Sequence, residues 1–219
     1  MILIFDLDDT LYNEMDFVKS GLTAVAKYGD ENFGWCAKHS LNYMLEVLLN
    51  EGRGHIFDRW LSDHNMLSKR RITECLNIYR QHKPTIKIYP EASFSLEKYK
   101  KTKSLYLVTD GHKIVQKNKI EALQLSSYFK RTFITHRFGI RHAKPSAYCF
   151  ELIRKAENAD WHDIVYVGDN PAKDFVNLNT LGALTVRVKT GCYKDAVART
   201  GFDAQFTITD LTMLPDILT

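Results

Sequence analysis

Several features that would place a chain at once are missing here. Only four cysteines occur in 219 residues. Cys36, Cys75, Cys149 and Cys192 lie far apart and form no C-x-x-C pair, which excludes a zinc ribbon or a disulfide scaffold and leaves free thiols of a reducing compartment as the expectation. No apolar run approaches the ~20 residues of a membrane span. The opening Met-Ile-Leu-Ile-Phe-Asp is too short and too soon acidic for a secretory signal. A cytoplasmic protein with no membrane partner is expected. Thirty Lys and Arg stand against 26 Asp and Glu, a formal charge of +4. The basic residues are scattered and form no stripe, so no nucleic-acid partner is expected. A weakly basic surface suits a small anionic ligand. Repeats and low-complexity tracts are absent, and 45% hydrophobic content rules out disordered and collagen-like classes.

What is present is an alternation of short apolar runs with helical patterns. Residues 2–5 (ILIF), 104–109 (SLYLVT), 164–168 (IVYVG) and 183–188 (ALTVRV) read as buried strands. Helical periodicity covers residues 115–125, 146–156 and 172–181. Strands alternating with helices of about ten residues predict right-handed βαβ units around a parallel sheet. Residues 13–87 break that rhythm. Phe17, Gly21, Val25 and Tyr28 share one helical face, Leu41, Leu45, Leu48 and Leu49 a second, and Ile72, Leu76 and Tyr79 a third. The aromatic side chains of this stretch are expected in its core. The expected fold is α/β, a three-layer Rossmann-like parallel sheet with an all-helical cap inserted after the first strand. The core would comprise residues 1–12 and 88–219 and the cap residues 13–87, with Pro84 and Pro90 flanking the return.

Ligands of parallel sheets bind at the carboxyl ends of the strands, and three of these ends carry the chemistry. The first runs into Asp6-Leu7-Asp8-Asp9-Thr10, the second into Thr109-Asp110-Gly111, and a later one into Gly168-Asp169 with Asp174 five residues on. Packing gives no reason to concentrate acids there, because like charges repel. A hard divalent cation such as Mg²⁺ does give one, and an ion held by Asp6 and Asp169 would screen a phosphate's charge. One carboxylate could then attack phosphorus, while another, its pKa raised by neighbouring charge and burial, protonates the leaving oxygen. Lys144 supplies positive charge to the transferring group. The Thr109 hydroxyl and the Asp110 and Gly111 amides can hold phosphate oxygens, with Gly111 allowing close backbone approach. Pro145 is expected in the first turn of the following helix. Asp9 reads as a turn or helix cap. The Gly52-Arg53-Gly54-His55 break offers Arg53, His55 and Arg59 as substrate-reading side chains, or else as a plain surface turn.

Taken in order, Asp6-Leu-Asp8-Asp9-Thr10, Thr109-Asp110-Gly111, Lys144-Pro145 and Gly168-Asp169-Asn170-Pro-Ala-Lys-Asp174 resemble the four motifs of the haloacid dehalogenase-like (HAD) superfamily, and the insert is similar to its type-1 cap. The resemblance implies Asp6 as nucleophile and Asp8 as acid/base, with Thr109 and Lys144 on the phosphate. It also implies Mg²⁺ held by Asp6, the Asp8 carbonyl and Asp169, with Asp174 in or near the ligand set. The family's second motif more often has Asn where Asp110 stands, so the Asp110 side chain is expected to turn away from phosphate, toward Lys113 or His112. The expected activity is hydrolysis of a small phosphate ester: a sugar phosphate, phosphoglycolate or a nucleoside monophosphate. Dehalogenation is disfavoured because that branch of the family carries a different residue at the Asp8 position. A phosphosugar mutase and a non-catalytic binding module remain the alternatives.

Overall fold

The computed structural model describes residues 1–218. By internal contacts the chain divides into two compact units, residues 1–14 with 86–219, and residues 15–85. The first is built on six parallel strands: β1 (Ile2–Phe5), β2 (Ser104–Thr109), β3 (Arg131–Ile134), β4 (Ile164–Gly168), β5 (Leu184–Val188) and β6 (Phe206–Ile208). Their spatial order is β3-β2-β1-β4-β5-β6, the doubly wound Rossmann arrangement. The central β1 pairs in register with β2 and β4, Ile2 opposite Ser104 and Ile164, Phe5 opposite Leu107 and Val167. All four β1 side chains are buried. A strand covered on both faces disfavours polar side chains, which is why the β1 sequence reads as an unbroken apolar run. Each such burial contributes about 1.5–3 kcal/mol. The polar residues are thereby pushed beyond the strand ends.

Among the described residues, eight α-helices and one short turn of α-helix accompany the sheet and the insert: α1 (Glu14–Phe33), α2 (Ala37–Glu51), α3 (Ile56–Asp63), α4 (Lys69–Gln81), α5 (Pro90–Tyr99), α6 (Lys113–Ala122), α7 (Tyr148–Ala156), α8 (Val176–Leu181) and α9 (Leu214–Ile217). Pro90 occupies the first turn of α5, where its missing N–H costs nothing. Helix α6 stops at Ala122, short of the expected residue 125, because Gln124 adopts a left-handed conformation with φ 53°. Helix α7 starts at Tyr148 and not at residue 146. Pro145 follows a cis peptide bond and lies outside the helix, which corrects its expected first-turn placement. Helix α8 begins at Val176, four residues later than expected, since residues 170–174 form a turn closed by the Asp174 N–H donating to the Asn170 carbonyl (3.0 Å).

The second unit is built from α1 to α4 and contains no strand among the described residues. Its core holds Val18, Leu22, Val25, Met44, Ile56, Phe57, Trp60 and Cys75. Of its aromatic residues, Phe17, Phe57 and Trp60 are buried, whereas Tyr28, Phe33, Trp35, Tyr43 and Tyr79 are half-buried. The α2 stripe needs correction. Ser40, Met44 and Val47 are its buried residues, Leu41, Leu45 and Leu48 pack at its edge, and Leu49 is 84% exposed. The helix is rotated so that Ser40, Met44 and Val47 face inward and the leucines flank them. No helix of the described residues is long and apolar enough to cross a membrane.

Candidate active site

Asp6 is the first residue past β1, and its amide still donates to Val167 of β4 (2.9 Å), so the strand's pairing fixes where its side chain begins. Asp169 directly follows β4. Asp174 lies on the turn after it, where the Asn170 amide donates to its Oδ2 (2.9 Å). Carboxylate oxygens of Asp6, Asp169 and Asp174 come within 4.8 Å of one another, and all three residues are buried. Gly168 makes that convergence possible: a Cβ there would stand 2.6 Å from Asp174 Oδ2. Lys144 is buried among them. Its Nζ donates to Asp6 Oδ1 (2.8 Å) and to the Tyr166 hydroxyl (2.9 Å), and pairs with Asp174 Oδ1 (2.7 Å). Tyr166 in turn donates to Asp174 Oδ1 (3.2 Å).

One ammonium cannot neutralise three carboxylates. Burial pushes the Asp6 carboxyl up to about 6 even though Lys144 pulls it down. Asp169 rises to about 9, through burial first and then the charges of Asp174 and Asp6. The carboxylates hold Lys144 well above its ordinary value against its own desolvation. Buried oxygen donors short of positive charge are the donor set a hard divalent cation satisfies, so this trio can hold a metal ion.

Asp8 lies outside the trio. Its carboxylate accepts from Tyr12 Oη (2.5 Å) and Lys119 Nζ (2.7 Å) at Oδ1, and from Gln116 Nε2 (2.8 Å) at Oδ2. Burial would raise its pKa, but the Lys119 charge and these three hydrogen bonds outweigh burial and hold it below the usual carboxylate range. The expected upward shift is therefore corrected. The same Gln116 amide donates to Thr109 Oγ1 (2.6 Å). A hydroxyl that accepts this bond keeps its own proton free for another acceptor. Gly111, at φ 135°, turns the chain from β2 into α6, and a Cβ there would meet Gln116 at 3.1 Å.

The Asp110 side chain, expected toward Lys113 or His112, finds other partners. It accepts from Thr135 Oγ1 (2.6 Å) and the Lys144 amide (3.1 Å) and pairs with Lys173 Nζ (3.5 Å). Asp9 acts as a buried turn anchor, accepting from the amides of Glu14 (2.8 Å) and Cys192 (2.9 Å). In the second unit, Arg53 and His55 occupy the turn between α2 and α3, and Arg53 lines an apolar cavity of about 250 Å³ with Leu22, Phe57 and Tyr79. Arg59 is exposed and engaged by Glu51 (2.8 Å). Sequence reading missed Tyr12, Gln116, Lys119, Tyr166 and Lys173. The available signal was polar: Gln116 and Lys119, three apart, share the helix face that buries Ile120.

Residues 3–187 match the family described as haloacid dehalogenase-like hydrolase, and the chain belongs to that family of hydrolases. Among curated proteins it is 29% identical over 222 residues to a glyceraldehyde 3-phosphate phosphatase of Methanocaldococcus jannaschii, covering 99% of this chain and 96% of that one. It is 28% identical to the protein of the same name from Pyrococcus furiosus, covering 99% and 92%. Among solved structures, a HAD phosphatase from Thermococcus onnurineus superposes with TM-score 0.63 at 21% identity, over 99% of this chain and 97% of the other. The HAD hydrolase YfnB of Bacillus subtilis, solved bound to magnesium, superposes with TM-score 0.70 at 16% identity, over 100% and 98%.

Proposed function

We propose that this hydrolase is a Mg²⁺-dependent phosphomonoesterase acting on a small sugar phosphate, glyceraldehyde 3-phosphate being the first candidate. The observation that carries the reading is the trio of buried carboxylates at the carboxyl ends of β1 and β4, two of them paired with one buried lysine. The names of the full-length relatives point to the same chemistry and to the substrate class. Asp6, Asp169 and Asp174, with the Asp8 carbonyl, would hold Mg²⁺. Bound there, the ion supplies charge to the phosphoryl oxygens and draws down the mutual repulsion of the acids.

The chain's own residues divide the remaining work. An Asp6 oxygen attacks phosphorus and the bond to the leaving oxygen breaks, giving an aspartyl phosphate. Asp8 gives that oxygen a proton, then recovers one from the water that cleaves the acyl phosphate, so the cycle is proton-neutral. Held ionised by Lys119, Asp8 rests in the form needed for the second half, so the proton it passes on in the first half is one taken from the incoming phosphate monoanion, and the proton gained from water returns to the released phosphate. Lys144 and the Thr109 hydroxyl meet the phosphoryl oxygens, aided by the Asp110 and Gly111 amides. The decisive variant is Asp6→Asn. Phosphate release from glyceraldehyde 3-phosphate in Mg²⁺ should drop at least about a thousandfold, with an unchanged circular dichroism spectrum and loss of the acid-stable phosphoenzyme trapped by rapid quench. Activity within about tenfold of the parent would remove Asp6 as nucleophile.

A further inference from the structure

The second motif's aspartate has no evident reason to stand beside a phosphate. A carboxylate there repels the ligand unless it is committed elsewhere. Asp110 is committed on three sides at once. Thr135 Oγ1, buried at the carboxyl end of β3, donates to its Oδ1 at 2.6 Å. The backbone amide of Lys144 donates to the same oxygen at 3.1 Å. Lys173, on the turn between Asp169 and Asp174, brings its ammonium to 3.5 Å from Oδ2. One side chain thus joins four segments: the end of β2, the end of β3, the Lys144 loop and the turn after β4.

The Lys144 loop has few other anchors. Residues 140–142 form a single turn with no buried side chain, and α7 starts only at Tyr148. Yet the Lys144 Nζ must land within 2.8 Å of both Asp6 and Asp174. A long, flexible ammonium held to that tolerance needs a fixed Cα. Resting on the phosphomonoesterase reading, we propose that Asp110 is a positioning residue: it pins the backbone of Lys144 so that the ammonium meets the phosphoryl group, and Lys173 is the counter-charge that keeps this carboxylate from repelling the substrate. The Asp110 carboxylate touches no reacting atom; only the backbone amide of this residue faces the phosphoryl oxygens. Its carboxyl sits below the usual range, burial being overcome by Lys144, Lys173 and the Thr135 hydroxyl, in keeping with a carboxylate that stays ionised throughout.

The two readings of Asp110 predict opposite signs for phosphate affinity. For a positioning residue, Asp110→Ala lowers kcat/KM about a hundredfold and weakens competitive inhibition by inorganic phosphate about tenfold. Hydrogen exchange at the Lys144 amide speeds up by about tenfold or more, while β4 amides keep their protection. Asp110→Asn retains an acceptor for Thr135 and Lys144 and recovers activity to within about tenfold of the parent. Thr135→Val, which removes one donor and keeps the volume, moves all readouts the same way by less. It also stands in should the alanine variant fold poorly. Tighter phosphate binding by Asp110→Ala, or an unmoved Lys144 amide, overturns the assignment. If the parent enzyme releases no phosphate from any ester, the functional reading fails. The exchange measurement still decides the clamp.

Discussion

Tyr166 shows how much one hydroxyl can organise. Its ring is fully buried on β4, stacked edge-on against Phe150 at 4.8 Å between centroids, and its oxygen stands between Lys144 and Asp174. Burial raises the phenol far above its ordinary range, with the Asp174 carboxylate adding to the effect, so it remains a donor to Asp174 and an acceptor from Lys144. Tyr166→Phe keeps the packing and deletes that bridge. Hydrogen bonds to charged groups are worth about 1.5–3 kcal/mol, so kcat/KM should fall about 10- to 100-fold while the melting temperature moves little. A variant that loses stability and keeps its activity would make Tyr166 a packing residue. Asp6, Asp169, Asp174 and Lys144 were legible at this scale because acids and a lysine beside strand ends have no packing rationale. Tyr166 was not legible. A tyrosine alternating with Ile164 and Gly168 reads as ordinary strand, and only the fold reveals that its hydroxyl ends among charges. Asp8 misled in the other direction. Its neighbours in sequence are acids, whereas its partners in space are Lys119, Gln116 and Tyr12.

Among the elements, β4 and the turn behind it are closely fitted. Gly168 closes the strand because a Cβ would drive into the Asp174 carboxylate, and Asp174 is fixed in turn by the Asn170 amide. Gly168→Ala should cost about 1–3 kcal/mol by overpacking. It should also weaken Mg²⁺ binding, read by calorimetry, by more than a surface alanine variant does; unchanged metal affinity would place Asp174 outside the ligand set. Buried strands β1, β2 and β4 were read to the residue, since covering both faces enforces apolar runs. Strands β3 and β6 were missed. They lie at the sheet edges with exposed Arg131 and Phe206, and three- or four-residue segments half open to water leave no distinguishing pattern. Helix α8 starts late because residues 170–174 close a turn of their own, with the Asp174 amide on the Asn170 carbonyl and the Asp174 carboxylate on the Asn170 amide, whereas α7 starts two residues late, its Tyr148 amide donating to the Ser146 hydroxyl.

For the whole molecule, the site's unbalanced charge must register in stability. Asp6 and Asp169 titrate higher folded than unfolded, to about 6 and about 9. The folded chain therefore binds more protons than the unfolded one across that window, and stability falls as pH rises through it. A dication favours the ionised carboxylates and so acts oppositely. In EDTA the melting temperature should decline from pH about 5 to about 9, and the increment gained from Mg²⁺ should grow over the same range. A flat profile in EDTA, or an increment independent of pH, would mean that the acids are not competing for one site. By itself the sequence determined the alternating α/β architecture, the helical character of the stretch bounded in the sequence at residues 13–87 and the acids at the strand ends, because hydrophobic periodicity and misplaced acids are local signals. Tertiary structure alone decided which groups share a charge. The ionisation of Asp8, the three-way tether of Asp110 and the bridge at Tyr166 draw on partners as far as 111 residues away, and electrostatic interaction falls with distance in space, to which separation along the chain is no guide.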